Sequence, residues 1–258
     1  MSASEPTISV LIATYNCEKA IRRCLNSLVY QSYSVQIIVI DNCSSDSTQN
    51  IVREYLGQGV QLIVGLDAGV FDAWNKGIMQ ADGDWIVFVG SDDFYNDQEA
   101  FQKLAARLRR LKRIRVVYGL VQVISKNGEI LQTENQSWDV VKHNLNHTLP
   151  FTHVGTAHHR SLFAKDNRFD PNFRIAGDYD FLYRELQRNG AEFEPTYTVN
   201  MQTGGLSRSI KNRSRLLAEV ELIWCKNGVR VPVLMKLWVI SKKIAFWFLA
   251  KFTPNLVF

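Results

Sequence analysis

Gly83-Asp84-Trp85-Ile86-Val87-Phe88-Val89-Gly90-Ser91-Asp92-Asp93-Phe94 is the stretch that decides how this chain folds. Trp85–Val89 is an uninterrupted apolar run, the pattern of a strand buried on both faces of a parallel sheet. Ser91, Asp92 and Asp93 follow at once, at the strand end where open α/β sheets hold their ligands. Two adjacent carboxylates there raise the free energy unless positive charge meets them, and a divalent cation on a diphosphate is the simplest partner. A solvated turn with an aspartate capping the next helix accounts for the same pair, and the pair taken alone favours that account.

Outward from this strand the chain alternates. Apolar, β-branched runs occur at Ile8–Ala13, Val35–Ile40, Val60–Val64 and Ile114–Tyr118. Helical periodicity fills the gaps at Cys17–Gln31, Asp46–Leu56, Ala68–Gln80 and Asp97–Lys112. This alternation predicts an α/β fold built on βαβ units, a mainly parallel, Rossmann-like sheet with helices on both faces. Right-handed crossovers then bring the strand-end loops to one edge. After residue 119 the rhythm changes. Val121–Ser125 and Glu129–Gln132 flank Lys126-Asn127-Gly128 as a hairpin, and Asp178–Asn189 reads as a helix closed by Gly190. The expected division is a catalytic domain over 1–206, with halves 1–119 and 120–206, and a basic amphipathic helical region over 207–258.

Charge is uneven along the chain. Residues 207–258 carry ten Lys/Arg against two Asp/Glu, whereas the remainder carries 20 against 23. Trp238, Phe246, Trp247, Phe248 and Phe252 lie among Lys236, Lys242, Lys243 and Lys251, a composition suited to an interfacial helix on anionic lipid. A helix packed on the domain with solvated lysines fits the same residues. The apolar stretch Ile244–Ala250 is far short of the roughly 20 residues of a spanning helix. No nucleic-acid recognition module is present, and no signal peptide precedes the first strand. A cytoplasmic protein, peripheral on the cytoplasmic face of a membrane, is the expectation. Cys17, Cys24, Cys43 and Cys225 have neither zinc nor disulfide spacing. Placed on one helix, Cys17 and Cys24 stand about 10 Å apart.

The strand ends carry the remaining candidates. Thr14, Tyr15 and Asn16 end the first strand and offer hydroxyl, ring and amide groups. Asp41 ends the second and suits a ribose or base edge. Helix capping by Thr14 or Asn16, and an Asx turn from Asp41 to Ser44, are equally good accounts of these residues singly.

In order, Ile8–Asn16, Ile37–Asp41, Asp67-Ala68-Gly69-Val70-Phe71-Asp72-Ala73-Trp74-Asn75-Lys76-Gly77 and Gly83–Asp93 resemble family 2 of the glycosyltransferases, which has the GT-A nucleotide-diphospho-sugar transferase fold. The likeness is strongest over residues 8–93 and looser to about 206, and it is closest to the bacterial branch that builds O-antigens and exopolysaccharides. It implies that Asp93, in the Ser91-Asp92-Asp93 form of the Asp-x-Asp motif, holds manganese or magnesium on the diphosphate. Asp92 would meet the sugar or ribose; Thr14, Tyr15 and Asp41 the nucleoside; and Asp72, Asn75 and Lys76 would line the cleft. Asn16 and Ser91 belong to the same donor site. The donor implied is a nucleotide-diphosphate sugar, of the UDP-sugar type. The loop Asn42-Cys43-Ser44-Ser45-Asp46 and Trp74 depart from the family pattern, which leaves base and sugar open.

An inverting transferase also needs a base for the acceptor hydroxyl. Ile175-Ala176-Gly177-Asp178-Tyr179-Asp180-Phe181 looks like the family's acidic acceptor-side motif, with Asp178 as base and Asp180 in reserve. Asp178 also suits an N-cap, which predicts a lowered pKa. His153 matches a family position toward the acceptor or diphosphate, although a packed core histidine fits it equally. Gln202-Thr203-Gly204-Gly205-Leu206-Ser207 resembles the segment that closes over the donor. The resemblance implies transfer of a sugar to a lipid-linked oligosaccharide or glycan acceptor. A nucleotide-sugar hydrolase, a nucleotidyltransferase, or a silent sugar- or lipid-binding protein are the other readings.

Overall fold

The computed structural model describes residues 5–125, 127–164, 167–203 and 210–230, with 241, 242 and 245. In chain order the elements are β1 (Ile8–Thr14), α1 (Ile21–Val29), β2 (Gln36–Asp41), α2 (Thr48–Arg53), β3 (Val60–Val64), α3 (Val70–Ile78), β4 (Trp85–Gly90), α4 (Ala100–Leu108), β5 (Val116–Ile124), β6 (Ile130–Glu134), α5 (Trp138–Val141), β7 (Ala157–His159), α6 (Gly177–Asn189), β8 (Glu192–Gln202) and α7 (Ile210–Lys226). The strands form one sheet in the order β3-β2-β1-β4-β7-β5-β6, with β8 parallel to β5. Strands β1 to β4 pair in parallel, while β7 runs antiparallel between β4 and β5. The expected α/β architecture is therefore present, as a mixed sheet flanked by helices.

A two-residue period sorts the strand side chains into two cores. Val10 and Ile12 of β1, Ile37 and Val39 of β2, and Val87 and Val89 of β4 face α1, α2 and α4. Leu11, Ile38, Ile40, Ile86 and Phe88 face the opposite way, onto α3, α6 and α7. Burial on both faces is why these strands read as continuous apolar runs rather than as alternating ones.

The helices are shorter than their periodic stretches, for local reasons. Asn16 takes a left-handed backbone (φ 50°), and residues 17–20 form a turn, so α1 begins only at Ile21. Cys17 consequently lies off the helix that carries Cys24, which corrects the placement of both on one helix. Gly69 (φ 130°, ψ 179°) occupies a conformation that only glycine takes readily, and α3 starts after it.

Two features of the second half were not expected. The runs 114–118 and 121–125 are one nine-residue strand, β5. β8 is absent from the sequence reading: its residues alternate polar and apolar, but Pro195 stands within the run, where proline argues against a strand. A register shift opposite Gly119/Leu120 takes Pro195 out of the ladder. At that bulge a Cβ on Gly119 would lie 2.0 Å from the Tyr197 carbonyl oxygen, so glycine is required.

The region 207–258 is described only in part. Its first portion, α7, buries Val220, Ile223 and Trp224 in the core shared by α3 and α6. The aromatic and lysine-rich stretch beyond residue 230 falls, almost entirely, outside the described residues. Among those described, no helix is long and apolar enough to cross a membrane.

Candidate active site

The parallel register sets the site. Thr14 lies opposite Asp41, Ala13 opposite Gly90, and Asp41 opposite Val64. Three strand ends thus stop at one level, and their loops leave the sheet side by side at its carboxyl edge.

The loop after β4 is a tight turn in which the Asp93 amide donates to the Gly90 carbonyl (3.1 Å). The Gly90 amide donates in return to Asp93 Oδ2 (3.0 Å). Both carboxylates fold back over this glycine: a Cβ there would lie 2.6 Å from Asp93 Oδ2 and 3.1 Å from Asp92 Oδ1. Asp93 is 5 % exposed, whereas Asp92 is half-buried. Burial, then the neighbouring Asp92 charge, pushes the Asp93 carboxyl up to about 8. Arg23, the nearest guanidinium, sends Nη2 instead to the Asp92 carbonyl (3.1 Å) and Gln202 Oε1 (2.6 Å), with its plane 4.2 Å over the Phe94 ring. Two carboxylates converging on a glycine, with too little positive charge to hold both ionised, fit an oxygen-seeking divalent cation. Arg23 gave no signal in the sequence, because it is simply one of several polar residues on the outer face of α1.

The loops after β1 and β2 are stitched together. Asn16 N donates to Ser44 Oγ (2.9 Å) and Ser45 N to Asn16 Oδ1 (2.9 Å). Cys17 N reaches Thr48 Oγ1 (2.8 Å) and Glu18 N reaches Asp46 Oδ2 (3.1 Å). Ser91 Oγ lies 2.9 Å from Cys17 Sγ, which ties the acidic loop to the other two. Asp41 is fully buried and accepts from Ser44 N (2.8 Å), Ser44 Oγ (2.5 Å) and Gln49 Nε2 (2.8 Å). The Asx turn is therefore real, and most of the acceptor capacity of Asp41 holds its own loop. Thr14 Oγ1 is buried without a partner, and the Tyr15 ring is exposed. An orphaned hydroxyl beside an exposed ring is an arrangement a nucleoside would complete.

The α3 residues divide. Asp72 Oδ2 accepts from Ala68 N (2.9 Å) and from Lys76 Nζ (3.0 Å), and Lys76 also donates to the Leu66 carbonyl (2.6 Å). This pair braces the loop beyond β3 at the cleft margin. Asn75 turns away from the cleft: Nδ2 donates to the Phe169 carbonyl (2.8 Å) and Oδ1 accepts the Phe169 amide (3.0 Å). Its amide clamps the Phe169 backbone and so joins the two halves of the chain.

His153 is buried among Trp74, Phe88 and His158. His158 Nδ1 donates to the Thr156 carbonyl (3.0 Å), so its Nε2 accepts, and His153 Nε2 must be the donor across their 3.1 Å contact. Burial depresses both histidines, His158 to about 4. His153 is thus a packed ring whose burial disfavours its charged form.

Packed against α3, α6 begins with Ala176 at its N-cap position, and Asp178 and Asp180 lie in the first turn. Asp178 is not the cap, and its pKa is not lowered: burial pushes the carboxyl up to about 6. It is half-buried, and Oδ1 accepts from the adjacent Tyr179 amide (2.8 Å). Asp180 is buried and held by Lys226 Nζ at 2.8 Å. Gly177 packs against Phe71 so closely that a Cβ would lie 2.7 Å from its ring, which fixes α6 to α3. Phe71, Trp74, Phe88, Phe169 and Phe181 continue that contact as an aromatic cluster from β4 to α6. Gln202 is among the described residues; the remainder of the segment thought to close over the donor, except Thr203, is not.

Comparison with known proteins agrees with this layout. A PGL/p-HBAD biosynthesis glycosyltransferase of Mycobacterium tuberculosis is 28% identical over 250 residues, covering 92% of this chain and 93% of that protein. The poly(ribitol-phosphate) β-N-acetylglucosaminyltransferase TarS of Staphylococcus aureus is 36% identical over 96 residues, 35% of this chain and 17% of that protein. Among solved structures, S. aureus TarS 1–349 in complex with UDP-GlcNAc superposes with a TM-score of 0.64 at 20% identity, covering 94% of this chain and 72% of that one. A Pyrobaculum calidifontis mannosyltransferase in complex with GDP-Man and Mn2+ gives 0.65 at 16% identity, covering 98% and 77%. At such identities these two structures speak for the GT-A fold alone. The sequence model described as Glycosyl transferase family 2 matches residues 9–169, more than half of the chain and all of the acidic loop, ending before α6. The chain belongs to glycosyl transferase family 2.

Proposed function

We propose that this glycosyltransferase is an inverting enzyme that uses a metal-bound nucleotide-diphosphate sugar, of the UDP-sugar type, and a lipid-linked or glycan acceptor of surface polysaccharide or glycolipid synthesis. The observation that carries the reading is the Asp92-Asp93 pair folded over Gly90, short of positive charge, at the edge where Thr14 and Asp41 also end their strands. A divalent ion, manganese or magnesium, would be held by Asp93 and would offset negative charge on the departing diphosphate. Thr14 and Tyr15 receive the nucleoside, Asp92 the ribose or sugar, and the stitched Asn16–Ser44–Ser45 loops keep the pocket in shape. Asp41 acts mainly by holding that loop.

Asp178 is the base. Its carboxylate takes the proton of the acceptor hydroxyl as that oxygen attacks the anomeric carbon, while the bond from that carbon to the diphosphate oxygen breaks and its electrons leave with the nucleotide. One displacement inverts the anomeric centre. The ion pair with Lys226 sets Asp180 aside and favours Asp178 for this role. By their names, the mycobacterial relative serves PGL/p-HBAD biosynthesis and the staphylococcal one transfers N-acetylglucosamine to poly(ribitol-phosphate), which supports a glycoconjugate or polymer acceptor.

Thermal melting with a panel of nucleotide sugars, with Mn2+, Mg2+ or chelator, tests the donor. Donors carrying one nucleotide should raise the melting temperature only with metal, by the equivalent of about 2.7 kcal/mol at one hundred times Kd. No stabilisation by any donor, or the same stabilisation in chelator, would sink the reading. Nucleotide release that needs no acceptor would instead mark a hydrolase.

The basic region is proposed to meet an anionic membrane surface on the cytoplasmic side. Its support is the excess of eight positive charges over 207–258 and the aromatics among them. Because α7 belongs to the core, the informative truncation falls after residue 230. That shortened chain should stay folded and cease to sediment with vesicles containing phosphatidylglycerol; continued sedimentation rejects the membrane role.

A further inference from the structure

The helix α7 grips the segment that presents Asp178. Glu219, 9 % exposed, accepts three consecutive backbone amides: Arg174 N on Oε1 (3.0 Å), and Ile175 N and Ala176 N on Oε2 (2.9 Å each). Seven residues on, two helical turns along the same face, Lys226 Nζ holds Asp180 Oδ2 at 2.8 Å. One helix therefore pins residues 174–176 before the first turn of α6 and residue 180 within it, with Asp178 between. Ala176, the residue before the first helical turn, has no capping side chain, and Glu219 takes its amide and the two before it from 43 residues further along the chain. A buried carboxylate is tolerated there because three N–H groups meet it. These contacts lie beyond the part of the chain matched by the family model.

We propose that Glu219 is a positioning residue for Asp178, setting the height and rotation of the first turn of α6 and so the place of the base carboxylate, with Lys226 confining Asp180 to an ion pair. The proposal rests on the reading of Asp178 as base. An amide at 219 has one accepting oxygen where the carboxylate has two, so its NH2 would face a backbone N–H and the turn would shift. A displacement on the order of 1 Å at a reacting group costs about 100-fold in rate. Glu219 also adds its charge to burial in raising the Asp178 pKa.

The test compares wild type, Glu219→Gln, Asp178→Asn and the double variant in the full chain. It follows nucleotide release from UDP-sugars with Mn2+ and octyl glycoside acceptors, alongside binding of UDP with Mn2+. Glu219→Gln should lower kcat about 100-fold, leave the donor KM and UDP binding within about twofold, and cost less than about threefold more when added to Asp178→Asn. A fully active Glu219→Gln protein overturns the proposal, as does an equal loss in both backgrounds or a parallel loss of UDP binding. If Asp178→Asn alone transfers at the wild-type rate, the base reading fails and the positioning role with it. An inactive Asp178→Asn beside a fully active Glu219→Gln removes the positioning role only. Lys226→Met, which keeps the length of the stem, gives a milder second perturbation of the same turn and should move kcat in the same direction.

Discussion

Asp93→Asn is expected to reduce sugar transfer by about 1,000-fold or more while making the metal-free protein more stable at pH 8. The two effects share one cause. A cation neutralising the leaving diphosphate contributes several kcal/mol to the transition state, and each 1.36 kcal/mol is a factor of ten in rate. Without the ion, the carboxyl of Asp93 is buried beside Asp92 and titrates near 8, far above its unfolded value. A carboxyl with a raised folded pKa contributes stability that is complete below the unfolded pKa and is lost as pH rises through the folded one. The metal-free wild type should therefore lose melting temperature from about pH 4 to 8, and Asp93→Asn should flatten that slope. At roughly 2–4 °C per kcal/mol for a chain of this size, a gain of several degrees at pH 8 is readable. The buried His153 and His158, whose pKa values are depressed, cost stability as pH falls below their ordinary value, so they oppose the Asp93 slope in the lower half of this window and leave its upper half, toward pH 8, to Asp93. Mn2+ should restore the wild-type melting temperature at pH 8 and leave Asp93→Asn unmoved. Turnover that survives both chelator and this substitution would remove the metal from the account.

How much of this was legible in the chain follows from what each residue touches. Strands β1, β2 and β4 could be read because both faces are buried, which leaves little room for polar residues. β8 could not, because its ladder is interrupted by a bulge at Pro195 and its outward face is polar. The acidic loop after β4 announced itself through two charges set directly behind an apolar run. The clamp made by Asn75 was not legible: an asparagine in a helix next to charged residues gives no sign that a backbone segment 94 residues away will take both ends of its amide. Arg23 and Glu219 were invisible for the same reason, since each acts on a loop distant in sequence. The Asp178 pKa was expected to fall by analogy with helix capping. It rises because burial outweighs the local amide contacts of Asp178, and the nearby Glu219 charge adds to the rise.

The raised Asp178 carboxyl leads to the second large effect. Asp178→Asn should lower transfer by about 100- to 10,000-fold, the range over which a positioned base usually contributes. UDP binding with Mn2+ should be unchanged, because the donor loops and the acidic turn lie at the strand ends and contain none of the α6 residues. The pH profile separates a base from a structural carboxylate. With Asp178 at about 6, the wild-type kcat/KM should rise tenfold per pH unit below that value and level off above it. The residual activity of Asp178→Asn should lack this limb. Asp180→Asn makes the contrast: it breaks the contact with Lys226 and leaves a buried amide in place of an ion pair, so its cost should be read mainly in melting temperature, with the acid limb still present. Should the limb vanish in Asp180→Asn and persist in Asp178→Asn, the proton goes to the wrong aspartate in this account, and Lys226 becomes the cation that tunes the true base.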